Sequence, residues 1–438
     1  MKKNLYAYLT VAAVSLAVLI VGAIFVVKSH FIRTLHFVPV TCFNSLRINF
    51  EPQARLITLR KYYYDLEKHF PDIKDVRASE LNKWLDKDYV ALLPWWEVDA
   101  RYKTLKVNGC YFYEKEQGFV PVKKLASYVP VFNQNKVTEI AAGGTVVLAR
   151  GVARSIEKIS DPLQPWYGTK NFFRKADFSI VNFKSPLVYN YTKPESKWHL
   201  YGKAQYAAGL TFAGIDLVSI SGNHMGDAGR EGLLETIDIL KKARVAPVGA
   251  GQDMYNAYKP HFWQKNGIKF GFLAFNSVVS SIVKAKAKGD PEKRIGIAWL
   301  DNDALKAVKK AKRKADVMVV IVNWGKEYMA KPEEKEVIWA RKLVNAGADI
   351  VLGDQAHWVQ NYEFYEGSFI AYGLGNFIFD QYWSEKTKEG ILQKHVFYDK
   401  KHIAVETIPI KLRNYARVEP VKDKKTYFEI LKQFYGFE

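Results

Sequence analysis

The chain repeats one short pattern four times: an acidic residue, an apolar run of strand length, and then polar residues of the kind that line binding sites. The four segments run from Asp177 through FSIV to Asn182, from Asp216 through LVSISG to Asn223 and His224, from Asp316 through VMVVIV to Asn323, and from Asp349 through IVLGD to Gln355 and His357. A continuous apolar run of this length predicts a strand that is buried on both faces. Because layered α/β sheets bind ligands beyond the carboxyl ends of their strands, we expect the polar residues to share one pocket.

Amphipathic stretches and turn pairs predict the elements around these runs. Helical spacing of apolar residues predicts helices in DAGREGLLETIDILKKARV and in KPEEKEVIWARKLVNAG, the second with Pro332 at its start and Gly347 past its end. Hairpins are predicted to turn at residues 108–109, 266–267 and 366–367. The segment HVFYDKKHIAVETIPIKL predicts two more strands, and KKTYFEILKQFYGF predicts a C-terminal helix.

The chain is predicted to fall into four segments. They are a transmembrane anchor at residues 1–28, an aromatic-rich α+β region at 29–138, the main α/β domain at 139–415 and a helical tail at 416–438. The length of 438 residues, with 48% hydrophobic and 14% aromatic residues, is typical of a largely globular chain.

The N-terminal segment changes the expected setting of the protein. After MKKN, the run LYAYLTVAAVSLAVLIVGAIFVV is uncharged and of the length that spans a bilayer, which predicts an uncleaved anchor. Lys2 and Lys3 favour a cytoplasmic N-terminus. We therefore expect a single-pass protein of the cell membrane whose bulk is extracytoplasmic, and this location excludes nucleic acid as a partner. In such a compartment Cys42 and Cys110 either form a disulfide or remain separate buried thiols.

The net charge of +20 bears on partners rather than on fold. It leaves anionic polymers and anionic lipid headgroups as candidates. The run LKAVKKAKRKAD concentrates part of this charge on one predicted helix, which is either a solvated helix face or a contact for a polyanion.

Several motifs together resemble one known family. In the order of the family pattern the chain carries NFKSPL, SGNHMGDAG, VNWGKEY and GADIVLGDQAHWVQNYEFYEGSFIAYGLGNFIFDQ. These resemble the CapA family of poly-γ-glutamate capsule biosynthesis proteins over residues 139–415. The resemblance implies a membrane-anchored protein that helps to make or export an anionic capsule polymer. It also implies a calcineurin-like, metallophosphatase-type α/β sandwich of two mixed sheets flanked by helices, here preceded by one transmembrane helix and a small α+β region.

The chain departs from this family pattern at the residues that would hold two metal ions. The family's GD, NLE, HWG and HPH are replaced by Gly144-Thr145, Asn182-Phe183-Lys184, Asn323-Trp324-Gly325 and Gln355-Ala356-His357. Lys184 takes the place of a bridging carboxylate, and a buried ammonium group repels divalent ions. We expect no metal cofactor, with Lys184 supplying the positive charge instead. A single divalent ion held by His224, His357 and Asp354 is the alternative.

The motifs also define the predicted site. The catalytic candidates are His224 and His357, and the pocket residues are Thr145, Arg150, Asn182, Lys184, Asn223, Asn323, Glu327, Asp354, Gln355 and Asn376. The expected function is synthesis, assembly or export of an anionic surface polymer such as poly-γ-glutamate. The expected partners are that polymer, the membrane and other capsule-synthesis membrane proteins. Two alternatives stay open: a hydrolase of phosphoester or γ-glutamyl bonds that uses His224 as general acid, and a module that binds cell-wall glycans through the aromatic N-terminal region.

Overall fold

The structure is a computed structural model that describes residues 31–126, 129–282 and 284–437. It divides into two compact units. Of the described residues, unit 1 contains those from 31 to 98 and from 102 to 134, and unit 2 contains residues 99–101 and those from 135 onward.

Unit 1 is built on a six-stranded mixed sheet in which β1 pairs antiparallel with β4, β5 and β6. Its elements are β1 Phe31–Cys42, β2 Leu56–Leu59, α1 Tyr63–Leu66, β3 Lys74–Val76, α2 Leu81–Leu85, β4 Val90–Pro94, β5 Tyr102–Thr104 and β6 Val120–Ala126. The predicted turn at Asn108 and Gly109 is present, with φ of 50° and 77°, but the single bridge between Val107 and Cys110 replaces the expected longer hairpin. Cys42 and Cys110 are both free thiols.

Unit 2 contains the strands on which the four repeated runs fall. Its strands are β7 Val137–Val146, β8 Phe178–Phe183, β9 Leu187–Val188, β10 Gly202–Lys203, β11 Leu217–Ser219, β12 Ala246–Val248, β13 Ala250–Gly251, β14 His261–Lys265, β15 Ile268–Asn276, β16 Gly296–Ile297, β17 Val317–Asn323, β18 Ile350–Asp354, β19 Tyr362–Tyr365, β20 Ser368–Ala371, β21 Asn376–Ile378, β22 Glu389–Tyr398, β23 Lys401–Arg413 and β24 Arg417–Pro420. Every residue of β8, β17 and β18 is buried, as the continuous apolar runs predict.

The helices of unit 2 include those that the sequence analysis predicts. They are α3 Arg150–Ile159, α4 Lys170–Lys175, α5 Ala207–Ala213, α6 Gly229–Lys242, α7 Met254–Ala257, α8 Pro291–Arg294, α9 Asn302–Lys312, α10 Glu334–Asn345 and α11 Lys424–Tyr435.

Short 3-10 helices occur in both units. They lie at Arg60–Tyr62, Ala78–Glu80, Trp95–Glu97, Glu116–Gly118, Gln134–Lys136, Gln164–Trp166, Ala204–Tyr206 and Lys386–Lys388. Two predicted helices become α6 and α10, and Gly347, with a positive φ of 115°, lies just past α10. The predicted hairpins at 266–267 and 366–367 join β14 to β15 and β19 to β20.

Two mixed sheets form the frame of unit 2, the architecture that the family resemblance implies. One sheet has the order β12-β11-β8-β7-β22-β23-β24, with β21 pairing to β7, and the other has the order β14-β15-β17-β18-β20-β19. The four repeated runs therefore do not lie side by side in one sheet. The strands β8 and β11 belong to the first sheet, whereas β17 and β18 belong to the second. Pairing between strands that are far apart in the sequence decides which sheet each run joins, and the residues of the runs do not predict that pairing.

The structure corrects the predicted location of the protein. Among the residues that it describes, no helix combines the length and the apolar composition needed to cross a membrane. The predicted anchor at residues 1–28 lies outside the described residues. The single-pass extracytoplasmic location is accordingly withdrawn.

A bulge in β7 gives a first prediction. The register of β7 against β8 shifts between Gly143 and Thr145, and an added Cβ at Gly144 would lie 2.0 Å from the carbonyl oxygen of Gly375. Gly144→Ala should therefore force backbone movement and lower the free energy of unfolding by about 2–4 kcal/mol, as measured with urea. Gly267→Ala is the control, because its Cβ meets no atom within 4 Å and only its φ of 77° costs about 1 kcal/mol. Equal losses in the two variants would contradict the steric account.

Candidate functional site

Polar side chains form two rows, one in each sheet of unit 2, and all of them except Asn376 lie at or next to the carboxyl ends of parallel strands. In the six-stranded sheet the row of register partners is Asn276, Asn323 and Asp354. In the eight-stranded sheet it is Asn376, Thr145, Asn182 and Ser219. The two rows meet through hydrogen bonds from Thr145 and Asn182 to Asp354, so the structure brings these predicted residues together.

Asp354 joins the two rows. The hydroxyl of Thr145 donates to both of its carboxylate oxygens, at 2.6 and 2.7 Å, and the side-chain amide of Asn182 donates to Oδ2. The backbone N–H of Gln355 donates to Oδ1 at 2.8 Å. Asp354 is only 3% exposed, and these neutral donors occupy both oxygens of its carboxylate.

Lys184 places a positive charge next to this carboxylate. Its Nζ lies 3.6 Å from Asp354 Oδ2 and donates a hydrogen bond of 3.0 Å to Gln355 Oε1. The Lys184 residue is 1% exposed, and burial lowers the pKa of its ammonium group, while Asp354 and Glu327 act in the opposite direction. The sequence predicts that Lys184 ties the asparagines to Glu327. In the structure its hydrogen-bond partner is Gln355, which makes the link to Glu327.

A polar chain continues from Gln355 to the second imidazole of the site. Gln355 Nε2 donates to Glu327 Oε1 at 3.1 Å, and that oxygen lies 3.6 Å from His357 Nε2. His357 Nδ1 lies 2.9 Å from Asn376 Oδ1. Asn376 Nδ2 donates to Gln381 Oε1 and to the carbonyl oxygen of Thr387, so its Oδ1 must accept from His357. The bond to Asn376 thus places a proton on His357 Nδ1, while burial lowers the pKa of the ring and Glu327 acts in the opposite direction.

The backbone around this chain is strained. The φ angles are 101° at Gln355, 59° at His357 and 61° at Tyr328. Non-glycine residues in this half of φ space cost on the order of 1–3 kcal/mol each and persist where the surrounding contacts impose them. The Gln355 angle lies beyond the usual left-handed region, so its side chain is held toward Lys184 and Glu327 at an energetic cost.

A second group of amides lies beside this chain. Asn323 Nδ2 donates to Asn276 Oδ1 at 2.7 Å and lies 3.4 Å from Asn223 Oδ1. The next residue, His224, is bonded through Nδ1 to Asp227 Oδ2 at 2.7 Å. Because Asp227 accepts there, His224 carries its proton on Nδ1 when neutral and keeps Nε2 available.

Aromatic rings line the approach to His357. Tyr328 lies 5.9 Å from the His357 ring, 6.3 Å from Trp358 and 6.0 Å from Trp383, and Trp383 is 60% exposed. Lys386 Nζ stands 4.6 Å from the centre of the Trp358 ring. We call Tyr328, Trp358, Trp383 and Lys386 the aromatic rim.

Arg150 has a structural task beside this rim. Its guanidinium forms an ion pair with Asp380, and the N–H of Gly151 donates to the same carboxylate at 2.7 Å. The guanidinium also lies 5.2 Å from the Phe379 ring, which in turn contacts His357. The predicted pocket residue Arg150 therefore holds the wall of the site, and most of its donors are already engaged.

The residues present do not fit the two-metal centre that the resemblance implies. Both oxygens of the Asp354 carboxylate accept hydrogen bonds from neutral donors, and the Lys184 ammonium lies beside them. The buried Oδ1 atoms of Asn182 and Asn323 lack hydrogen-bond partners, but amide oxygens carry no charge to balance a divalent ion. In the described part of the chain, no group of three or more His, Cys, Asp or Glu side chains is placed to hold a metal ion. The metal content itself stays a prediction, which is tested below.

The structure brings most of the predicted site residues together and adds two that the sequence reasoning missed. Asn276 ends the run IKFGFLAFN, which repeats the signal of an apolar run followed by an amide but was interpreted only as part of a hairpin. Asp227 follows His224 by three residues within SGNHMGDAG and carried no separate signal.

Removing the Lys184 charge should destabilise the fold. Lys184→Met leaves Asp354 buried without a counter-charge, and we expect a loss of about 3 kcal/mol in the free energy of unfolding. Because burial lowers the pKa of Lys184, the folded chain binds fewer protons than the unfolded chain just below the unfolded pKa of about 10.4. The wild type should therefore gain stability over Lys184→Met as the pH rises towards that unfolded pKa, in urea titrations at each pH.

Two controls accompany this measurement. The double variant Lys184→Met/Asp354→Asn carries no unpaired buried charge and should recover most of the loss. Lys310→Met removes an exposed lysine of α9 and should change the free energy by no more than about 0.5 kcal/mol. A double variant as unstable as Lys184→Met would show that the two charges do not stabilise each other.

Solved structures overlap this chain in part. A hypothetical protein of Thermus thermophilus is 14% identical with a TM-score of 0.40, covering 63% of this chain and 100% of that protein. The sulfate thiohydrolase SoxB of Thermus thermophilus is 11% identical with a TM-score of 0.35, covering 58% of this chain and 42% of that protein. The fold assignment rests on the two sheets described above.

Curated relatives and a family model cover the same domain. The capsule biosynthesis protein CapA of Bacillus anthracis is 28% identical over 309 residues, which cover 67% of this chain and 72% of that protein. The PGA biosynthesis protein CapA of Bacillus subtilis is 31% identical over 258 residues, which cover 58% of this chain and 66% of that protein. The model of the family described as bacterial capsule synthesis protein PGA_cap matches residues 139–381, more than half of the chain. The chain therefore belongs to the PGA_cap family of bacterial capsule synthesis proteins, as the CapA resemblance of its motifs implied.

Proposed function

We propose that this protein acts in the synthesis or assembly of an anionic polymer, with poly-γ-glutamate as the first candidate, and that its pocket binds the polymer without cleaving it. The observation that carries the proposal is the internally neutralised centre, where the Lys184 ammonium stands 3.6 Å from the fully hydrogen-bonded carboxylate of Asp354. Such a centre has a fixed charge and fixed hydrogen bonds, which suit recognition. The names of the two CapA relatives support the choice of polymer.

The groups around the centre match the chemistry of a γ-linked polyglutamate. Each unit of that polymer has an amide N–H, two methylene groups and a free carboxylate. Glu327 is partly exposed and presents an acceptor for an amide N–H, while the rings of Trp383 and Tyr328 present apolar faces to methylene groups. Lys386 has no carboxylate partner among the described residues and is available to a polymer carboxylate.

Binding of two polymers of equal length tests the proposal. Poly-γ-glutamate and poly-α-glutamate have the same composition and charge but present the amide and the carboxylate in different places. We expect the wild type to favour the γ-linked polymer in fluorescence anisotropy at about 0.15 M salt, where general electrostatics are screened. Trp383→Ala/Lys386→Gln should reduce this preference, because it removes an exposed ring and an unpaired cation from the aromatic rim.

The control variant is Lys310→Gln, which removes one exposed positive charge from α9, away from the residues of the pocket. It should weaken both polymers slightly and equally. A wild type that binds the two polymers with equal affinity would overturn the proposed recognition of poly-γ-glutamate by the pocket.

A hydrolase is the second candidate, and the His224–Asp227 pair favours it. The Asp227 carboxylate at 2.7 Å orients the ring, so that a protonated Nε2 is placed to give a proton to a leaving group. Our proposal predicts the opposite outcome: the purified protein should bind less than one transition ion per chain and leave the length of poly-γ-glutamate unchanged. Metal analysis and size-exclusion chromatography measure these two quantities. Shortening of the polymer by the wild type but not by His224→Gln would establish the hydrolase instead.

A further inference from the structure

A second concave surface lies between α5 and α6. It is an open groove of about 710 Å³, and none of the residues that line it belongs to the pocket described above. Its floor is formed mainly by small and apolar side chains, among them Ala207, Ala208 and Ile239. We call it the α5–α6 groove.

Arg174 and Phe212 line one wall of the groove, and Lys170, which is not a lining residue, shares the Phe212 ring with Arg174. Lys170 Nζ and the Arg174 guanidinium lie 4.7 and 4.8 Å from the centre of the Phe212 ring. Arg174 Nε donates to the carbonyl oxygen of Phe212 at 2.8 Å, which fixes the plane of the guanidinium. Among the residues that the structure describes, neither cation has a carboxylate partner, so the outer donors of Arg174 face solvent at the groove.

The opposite wall carries a third cation on another ring. Lys242 Nζ lies 5.0 Å from the centre of the Tyr189 ring and donates to the Tyr189 hydroxyl at 2.9 Å. Asp238 accepts from that hydroxyl at 2.6 Å and lies 2.8 Å from Lys242 Nζ. The carboxylate and the hydroxyl thus hold Lys242 in place at the edge of the groove.

Helix capping explains only part of this arrangement. A cation near the C-terminal end of a helix is favourable, and the contact of Arg174 with the last turn of α5 is of that kind. It accounts for Nε of Arg174 but not for Lys170, which shares the same ring and has no hydrogen bond among the described contacts. Two cations on one ring repel each other, and an anion bound nearby would relieve that repulsion.

We propose that the α5–α6 groove is a second binding site, separate from the pocket, for a flexible chain that bears regularly spaced carboxylates. Arg174, which has no acidic partner among the described residues, and Lys242, which is shared with Asp238, take carboxylates of the chain, and the apolar floor takes the methylene groups between them. The proposal rests on the proposed function only for the identity of the natural polymer. Two sites on one protein raise the apparent affinity for a polymer long enough to reach both, since the second contact becomes intramolecular.

The test uses the whole protein and the same two fluorescent polymers, poly-γ-glutamate and poly-α-glutamate. Arg174→Gln/Lys242→Gln removes one cation from each wall, while glutamine keeps a hydrogen-bond donor at position 174. We expect affinity for both polymers to fall about three- to tenfold, because each exposed ion pair contributes up to about 1 kcal/mol. The matched control Lys309→Gln/Lys310→Gln removes the same charge from α9 and should cost less than about twofold.

The outcomes separate this proposal from that for the pocket. Groove variants should weaken both polymers and leave the preference for the γ-linkage unchanged, whereas the aromatic-rim variants should reduce that preference. A wild type that binds the two polymers with equal affinity would contradict the pocket proposal. The groove proposal would then still be tested by comparing Arg174→Gln/Lys242→Gln with Lys309→Gln/Lys310→Gln. Three results would each overturn the groove proposal. The first is an equal loss of affinity in Arg174→Gln/Lys242→Gln and in Lys309→Gln/Lys310→Gln, and the second is a wild type that binds neither polymer. The third is that Arg174→Gln/Lys242→Gln loses more affinity for single-stranded DNA, measured in the same way, than for the two polycarboxylates.

Discussion

The buried charge pair of Lys184 and Asp354 is the constraint around which the site is organised. A charge that is almost fully removed from water is tolerated only when hydrogen bonds and an opposite charge replace its hydration. Asp354 meets this requirement with Thr145 and Asn182 from the eight-stranded sheet and with the backbone of Gln355 at the end of its own strand. The same hydrogen bonds therefore satisfy the carboxylate and join the ends of the two sheets. Replacing Asp354 would therefore leave the Lys184 charge unpaired and would also remove the hydrogen bonds that join the two sheets.

An internal ammonium differs from a metal ion in what it allows around it. A divalent ion draws several carboxylates and imidazoles inward and deprotonates them, whereas Lys184 donates at most three hydrogen bonds to oxygen atoms. The surrounding residues reflect this difference, since the amides of Asn323 and Gln355 stand where the family pattern has histidines. The strained backbone at Gln355 has the same origin, because its side chain must accept from Lys184 and donate to Glu327 at once. The pocket thus consists of oriented donors and acceptors, and a polymer with repeated amide and carboxylate groups is a chemical match for it.

Sequence reasoning succeeded where the signal is local. Apolar runs, caps and turn pairs predicted β8, β17, β18, α6, α10 and two of the three hairpins, because each depends on neighbouring residues. It failed where strands separated by long stretches of chain must choose partners: the four repeated runs divide between two sheets, and no run encodes that division. The same limit applies inside the site. The burial of Lys184 was predictable from its place after a buried strand, but its bond to Gln355 depends on a φ angle of 101° that the residue type does not suggest.

The positive charge of the chain is distributed in two distinct ways. Some cations are neutralised by acids, as Lys312 is by Asp349. Others stand over aromatic rings with no acid in contact among the described residues, as Lys170 does on Phe212 and Lys386 on Trp358. A ring restricts the rotamers of a lysine and removes part of its hydration without neutralising it, so less entropy is lost when an anion binds. The solvated lysines of α9 lack this preorganisation, and they add to long-range attraction that salt screens. Cations held on rings without an acidic partner are therefore the part of the charge that distinguishes a specific polyanion surface from a merely basic protein.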